Sequence, residues 1–196
     1  MKDKKVLMMY NMVKLLIIIL LLMSVACAIY IGATPPPPPP CPIESLMLEE
    51  SMFHKDIHQT SPPSKRGAPM RFGDDKLGVG FTSMTQGGAT LDVYQARSVK
   101  QAQEKFNEQV VYEFSSREGY TGWYTDTFNY QSSVADQFQF SCRKHKASSV
   151  ENCRFFGQYN IYLIIFDADI SSILTYKDME GLLQTIDNKV VQCLAD

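Results

Sequence analysis

Asn-x-Ser/Thr sequons, Cys-x-x-Cys pairs and His-Glu-x-x-His motifs are all missing from this sequence, which also has only one tryptophan and three histidines. Without Cys-x-x-Cys there is neither a zinc ribbon nor a thioredoxin-type redox centre. No glycine-rich loop is followed by the lysine that a phosphate loop needs, so Gly87-Gly88 in TSMTQGGAT reads as a turn. An excess of one charge is missing too: 19 Lys and Arg face 21 Asp and Glu, a net −2 with a pI of about 5.9. That balance gives no electrostatic footprint for nucleic acid. No unit recurs at a fixed period, which excludes a solenoid or propeller.

One region holds most of the long apolar sequence. Residues 15–33, LLIIILLLMSVACAIYIGA, contain no charged side chain, and residues 1–14 before them carry Lys2, Lys4, Lys5 and Lys14. As a helix the run would be ~28 Å long, close to the hydrocarbon thickness of a bilayer. The basic flank places the N-terminus in the cytoplasm. The reading is a single-pass signal anchor, with Leu15, Ile19, Met23, Ala28 and Ala33 marking the membrane span. A cleaved signal peptide at Ala26-Cys27-Ala28, or lipid on Cys27, are the alternatives, and each puts the rest of the chain outside the cytoplasm.

Six consecutive prolines follow, in TPPPPPPCP. They favour polyproline II and form a stiff spacer of about 20 Å. Ile43, Leu46, Met47, Phe53 and Ile57 fall roughly on one side of a short amphipathic helix, after which residues 59–76 return to Pro, Gly, Ser and charge. Residues 34–75 are therefore expected to be a flexible, proline-rich linker, and residues 76–196 the folded extracytoplasmic domain.

Within that domain Val99, Ala102, Phe106 and Val110 recur at helical spacing behind Ser98, a good N-cap. Residues 120–130 are aromatic and Thr-rich, which suits a strand. Residues 137–144 alternate, with Phe138, Phe140 and Cys142 on one face. Residues 153–166 read as a central strand, apolar on both faces from Tyr159 to Phe166. Met179, Leu182, Leu183, Ile186, Val190 and Leu194 form the apolar stripe of a last helix, and Thr175 with Asp178 makes its capping box. The expected fold is an α+β two-layer sandwich: an antiparallel sheet of three to four strands with both helices on one face. The open face would then carry Tyr124, Phe128, Tyr130 and Phe156 as a partner-binding surface.

Five cysteines are present, at 27, 41, 142, 153 and 193. Outside the cytoplasm such residues form disulfides. Cys142 and Cys153 flank one strand connection and are expected to pair; Cys193 is a core thiol or a partner for Cys41 or another cysteine.

Four sets of residues invite chemistry. Asp167 and Asp169 point to one strand face, and IIFDADIS resembles the nucleophile motif of haloacid-dehalogenase-type phosphatases. That resemblance implies a carboxylate pair on a metal. Only residues 172–196 follow, too few for the hydroxyl, lysine and further acids of such a site, so the pair is read as the exit of a strand. Substituting both with asparagine is expected to leave partner binding intact. His54 and His58 are spaced for one helix face, but Lys55 stands where a zinc peptidase has its general base. Arg143, Lys144, His145, Lys146 and Arg154 make a basic hairpin that could meet an anionic surface. Cys142 with His145 lacks an orienting group for a nucleophile. No catalytic residue, metal site or cofactor is expected. The reading is a non-catalytic binding or assembly module at the cell surface, with a membrane contact through the N-terminal helix and a protein or cell-envelope partner. A small extracytoplasmic hydrolase and an accessory subunit of a membrane complex are the alternatives.

Overall fold

The computed structural model describes residues 14, 41–65, 76–84, 87–125, 128–148 and 150–195. The expected span at 15–33, with Leu15, Ile19, Met23, Ala28 and Ala33, lies outside the described residues, as does the hexaproline run. Among the described residues no helix is long and apolar enough to cross a membrane. The chain divides into compact units Met1–Pro37 and Pro38–Asp196, and the second is the one described below.

It is an α+β unit built on six strands: β1 (His58–Gln59), β2 (Lys76–Thr82), β3 (Gly88–Gln95), β4 (Gln137–Lys144), β5 (Glu151–Tyr159) and β6 (Tyr162–Ile170). Helix α1 (Val99–Glu113) lies between β3 and β4, and α2 (Tyr176–Ala195) follows β6. The sheet order is β1-β2-β3-β6-β5-β4, with every pairing antiparallel. The long apolar stretch expected as one strand is a hairpin, β5–β6. Its turn holds Asn160 at φ 53°, a left-handed conformation that asparagine tolerates well. The Asn160 N–H donates to Asp136 Oδ2 at 2.6 Å.

Side-chain alternation decides which helix covers which face. Tyr94, Phe156, Leu163 and Ile165 form one cluster with Phe106 of α1. Leu91, Val93, Phe155, Ile164 and Phe166 point the other way, into the main core with Met179, Leu183, Ile186 and Val190 of α2. The helices thus lie on opposite faces of the sheet, correcting the expected two-layer sandwich of three to four strands. The physical reason is that β3, β5 and β6 are apolar on both faces over part of their length, and each face must be covered. Gly157 sits between the Phe155 and Tyr159 rings, where a Cβ would come within 2.7 Å of both; glycine is what lets these two rings close over the strand.

The start of the domain also needs correction. Ile43, Leu46, Met47, Leu48 and Ile57, placed above in a flexible linker, are at most 5% exposed and belong to the main core. Instead of one helix the segment has two 3₁₀ turns, Ile43–Leu46 and Glu50–Met52; Ile43 and Leu46 lie on the first, and Met47, Leu48 and Ile57 lie outside both. Phe53 stacks on Phe81 of β2 at 4.1 Å. The cap expectations hold: Ser98 Oγ accepts from the Gln101 N–H at 3.1 Å. The Thr175 N–H and hydroxyl both donate to Asp178 Oδ2, at 2.8 and 2.7 Å.

Candidate functional site

The disulfides fix the frame. Cys142 and Cys153 are directly opposite on β4 and β5 and are bonded, as expected. Both backbone bonds of Cys142 go instead to Tyr124 on the other side, so the cysteines form a non-hydrogen-bonded pair, the closer of the two antiparallel pair types. Cys193 of α2 is bonded to Cys41. Cys142, Cys153 and Glu151 bring ligand atoms within 4.8 Å of one another, but sulfurs joined to each other are not thiolates and cannot hold a metal.

The segment after α1 bridges to β4 at Tyr120↔His145 and Tyr124↔Cys142. It covers the outer edge of β4, which would otherwise expose unpaired backbone groups. This segment builds the candidate site. Alternation along β4 and β5 sends Ser141, Arg143, Asn152 and Arg154 to the α1 face, near its polar end. Arg143 is 3% exposed and its guanidinium lies 4.1 Å from the Tyr120 ring and 4.3 Å from the Trp123 ring. Its Nε and Nη1 are buried and have no hydrogen-bond partner among the described residues. Burial, with Arg154 and Arg117 close by, draws its pKa below the ordinary arginine value. Trp123 is half-buried, packs on Phe114 at 5.0 Å and donates from its indole N–H to the Ser115 carbonyl. Arg117 and Lys146 are exposed beside this cluster.

Asp167 and Asp169 do share a face, as their spacing predicts, but they do not share an ion. Arg154 donates to Asp167 through Nε and Nη2 at 2.7 and 2.9 Å. Its Nη1 donates to the Glu113 carboxylate and carbonyl at the end of α1. Asp169 accepts from Asn152 Nδ2 at 3.1 Å. Burial works against the Arg154 charge, yet Asp167 and Glu113 outweigh it and raise its pKa. Burial raises the Asp167 carboxyl, with Arg154 pulling the other way. The basic hairpin is therefore divided: Arg143 and Arg154 are internal, whereas Lys144 lies near Glu151 at 3.8 Å and Lys146 faces solvent.

The four aromatic residues expected on one open face are not on one face. Phe156 is fully buried under α1, stacked on Phe106 at 4.7 Å. Tyr130 is buried on the α2 side, where its hydroxyl donates to Asp187 Oδ2 at 2.7 Å. Phe128 packs edge-on against Phe140, and Tyr124 is half-buried against the main core. The reason is the route of the described residues 114–125 and 128–136, the first lying by the α1 face and the β4 edge and the second on the α2 face.

Asp187 was not singled out by sequence, because it falls one position from the apolar stripe of α2. It is 6% exposed and accepts from the hydroxyls of Tyr130, Tyr159 and Ser132. Burial first, and then Asp187 through its hydrogen bond and its charge, raise the Tyr130 and Tyr159 pKa above the ordinary value of 10.0, and burial does the same for Tyr94. A raised folded pKa means that stability is whole below the unfolded pKa and is lost as pH climbs above it. The unfolding free energy should therefore fall above pH ~10 by about 1.4 kcal/mol per pH unit for each such tyrosine. Denaturant titrations between neutral and strongly alkaline pH test this, and a flat profile would refute the burial of these hydroxyls.

No protein-family model matches the sequence, and no curated protein matches it. Among solved structures the fold is similar to the extracellular domain of PknH from Mycobacterium tuberculosis. The TM-score is 0.54 at 10% identity, over 78% of this chain and 95% of that one. At that identity the likeness concerns the fold.

Proposed function

We propose that residues 38–196 form an extracytoplasmic, non-catalytic binding or assembly module, held at the membrane by the apolar segment 15–33 with the N-terminus in the cytoplasm. Two disulfides support the external placement, since such bonds persist in oxidising compartments. The similar structure named above is itself an extracellular domain. The observation that carries the binding reading is the arginine–aromatic stack. Arg143 holds Tyr120 and Trp123 in fixed orientations, and both rings remain partly open to solvent between exposed Arg117 and Lys146. Tryptophan, tyrosine and arginine in a preset arrangement are the residues that dominate protein contact energies. The partner is a protein or cell-envelope component carrying acidic groups.

Two buried ionisable side chains other than Arg143 already serve the fold. Arg154 is bound by Asp167 and Glu113, and Asp187 is bound by three hydroxyls. This favours binding over the hydrolase reading. The decisive comparison is co-purification from the native membrane of the full chain and of a Trp123→Ala, Arg117→Glu variant. Partners enriched with the parent should be lost with the variant, while the melting temperature stays within a few degrees. Retention of every partner by the folded variant would remove this face from consideration. A phosphatase that works only outside the cytoplasm, fused after Asp196, should be active; an inactive fusion refutes the orientation.

A further inference from the structure

We infer that the Arg143 guanidinium is a receptor for a single carboxylate, supplied by an aspartate or glutamate side chain of a protein partner, with the Trp123 indole as its movable cover. The assignment rests on the contact face proposed above and names what that face grips.

Unmet donors carry it. Arg143 is 3% exposed, and the N–H groups of its Nε and Nη1 have no hydrogen-bond partner among the described residues. Buried donors are nearly always paired, and a charged one left unpaired costs more than a neutral one. The Tyr120 and Trp123 rings attract the charge at 4.1 and 4.3 Å, but a ring face does not replace an oxygen acceptor. Neighbours that could supply an oxygen are engaged elsewhere. Asn152, directly opposite on β5, turns its amide to Asp169. Asp167 and the Glu113 carboxylate accept from Arg154. A planar cation with several open N–H groups matches a carboxylate, whose two oxygens accept side by side. Net charge does not choose this ligand, because Asp167, Asp169 and Glu113 lie on the same side of the sheet as the arginines. It limits the ligand's charge instead: beside those carboxylates a second negative charge costs more than the first, so a carboxylate is favoured over a phosphate dianion.

Trp123 is the way in. Its indole is half-buried, held by Phe114 at 5.0 Å and by one hydrogen bond of 3.2 Å to the carbonyl of exposed Ser115. The backbone on both sides of it is pinned to β4, Thr121 to Lys144 and Tyr124 to Cys142. Rotation of the side chain alone therefore uncovers Arg143 while the wrapping segment stays in place. Arg117 and Lys146, exposed beside the opening, draw an anion towards it. An acidic side chain carries its carboxylate on a slender stem that can follow it in beside Tyr120. A uronic acid of a wall polymer carries it directly on a ring, which is too broad to enter beside two aromatic side chains.

Trp123 is the single tryptophan of the chain, so the fluorescence of the purified full chain reads this site directly. Acetyl-glutamate amide, titrated at constant ionic strength, should shift the emission to longer wavelength as the indole enters water, with half-saturation in the millimolar range. Acetyl-glutamine amide, the same body without the charge, should bind at least about tenfold more weakly, and so should acetyl-glutamate amide to Arg143→Lys. If Arg143→Lys fails to fold, the Arg143 Nε–H resonance of the parent protein takes its place and should move on titration. Equal response to the glutamate and glutamine compounds, or an unmoved Arg143 Nε–H, overturns the site. Tighter binding of dimethyl phosphate overturns the carboxylate, and tighter binding of glucuronate overturns the protein source. No response here, with partners lost in the co-purification described above, strikes the receptor and leaves the contact face standing. A response here with every partner retained strikes the contact face and its protein partner, and leaves a small-carboxylate receptor.

Discussion

Replacing Cys41 and Cys193 with alanine should lower the unfolding free energy by about 5 kcal/mol, more than replacing Cys142 and Cys153. The two bonds close very different lengths of chain: 152 residues separate Cys41 from Cys193, and 11 separate Cys142 from Cys153. In the chain-entropy account the longer loop contributes about 5 kcal/mol and the shorter about 3 kcal/mol. Domains of this size have only about 5–15 kcal/mol in total, so the long-loop variant should approach the unfolding threshold. Cys41 also sits where the 3₁₀ turns begin, and its backbone exchanges bonds with the Tyr162 hydroxyl of β6. Urea titrations of both double variants measure the difference. Equal losses, or a larger loss from the short loop, would show that chain entropy does not set the order.

Arg154→Met should cost about 3–5 kcal/mol. The guanidinium is 8% exposed and is the hydrogen-bonding partner of the Asp167 carboxylate and of the Glu113 side chain at the end of α1. Methionine would leave two carboxylates facing each other in a half-buried site without a cation. Adding Asp167→Leu should restore much of the loss, because an apolar pair avoids the desolvation of both ions. A single-variant loss below about 1 kcal/mol would mean that the pair behaves as a surface ion pair. The expectation that partner binding survives asparagine at 167 and 169 needs stability measured beside it, because Asp167→Asn weakens the tie between sheet and α1.

The sequence was most readable where one face alone decides an element. The alternation in QFQFSCRK defines β4 to the residue, and Ser98 and Thr175 mark both helix starts. The Cys142–Cys153 bond follows from strands meeting across a short connection. Strands β2 and β3 were hidden because KLGVGFT is broken by glycine and GATLDVYQ begins beside Gly87-Gly88, which suggested a turn. The burial of Ile43–Ile57 was hidden by its surroundings, prolines before it and a polar stretch after it. What holds it in place is far away in sequence: Cys193, Tyr162 and Phe81. The candidate site was half legible. The basic residues were visible as a group, but their division between interior and surface depends on strand parity and on a wrapping segment that brings Trp123 over Arg143. Nothing local encodes that long-range return.

The Cys41–Cys193 bond has a mechanical meaning. Residue 41 follows the proline run directly, and residue 193 lies in the last turn of the final helix. Tension that enters through the proline run and leaves through the C-terminus crosses from one to the other through a single covalent bridge. The intervening 151 positions of sheet and helices stand outside the load path. A pull applied on either side of the bonded pair would extend only chain before residue 41 and after residue 193 until that bridge is reduced, after which the domain itself becomes the spring.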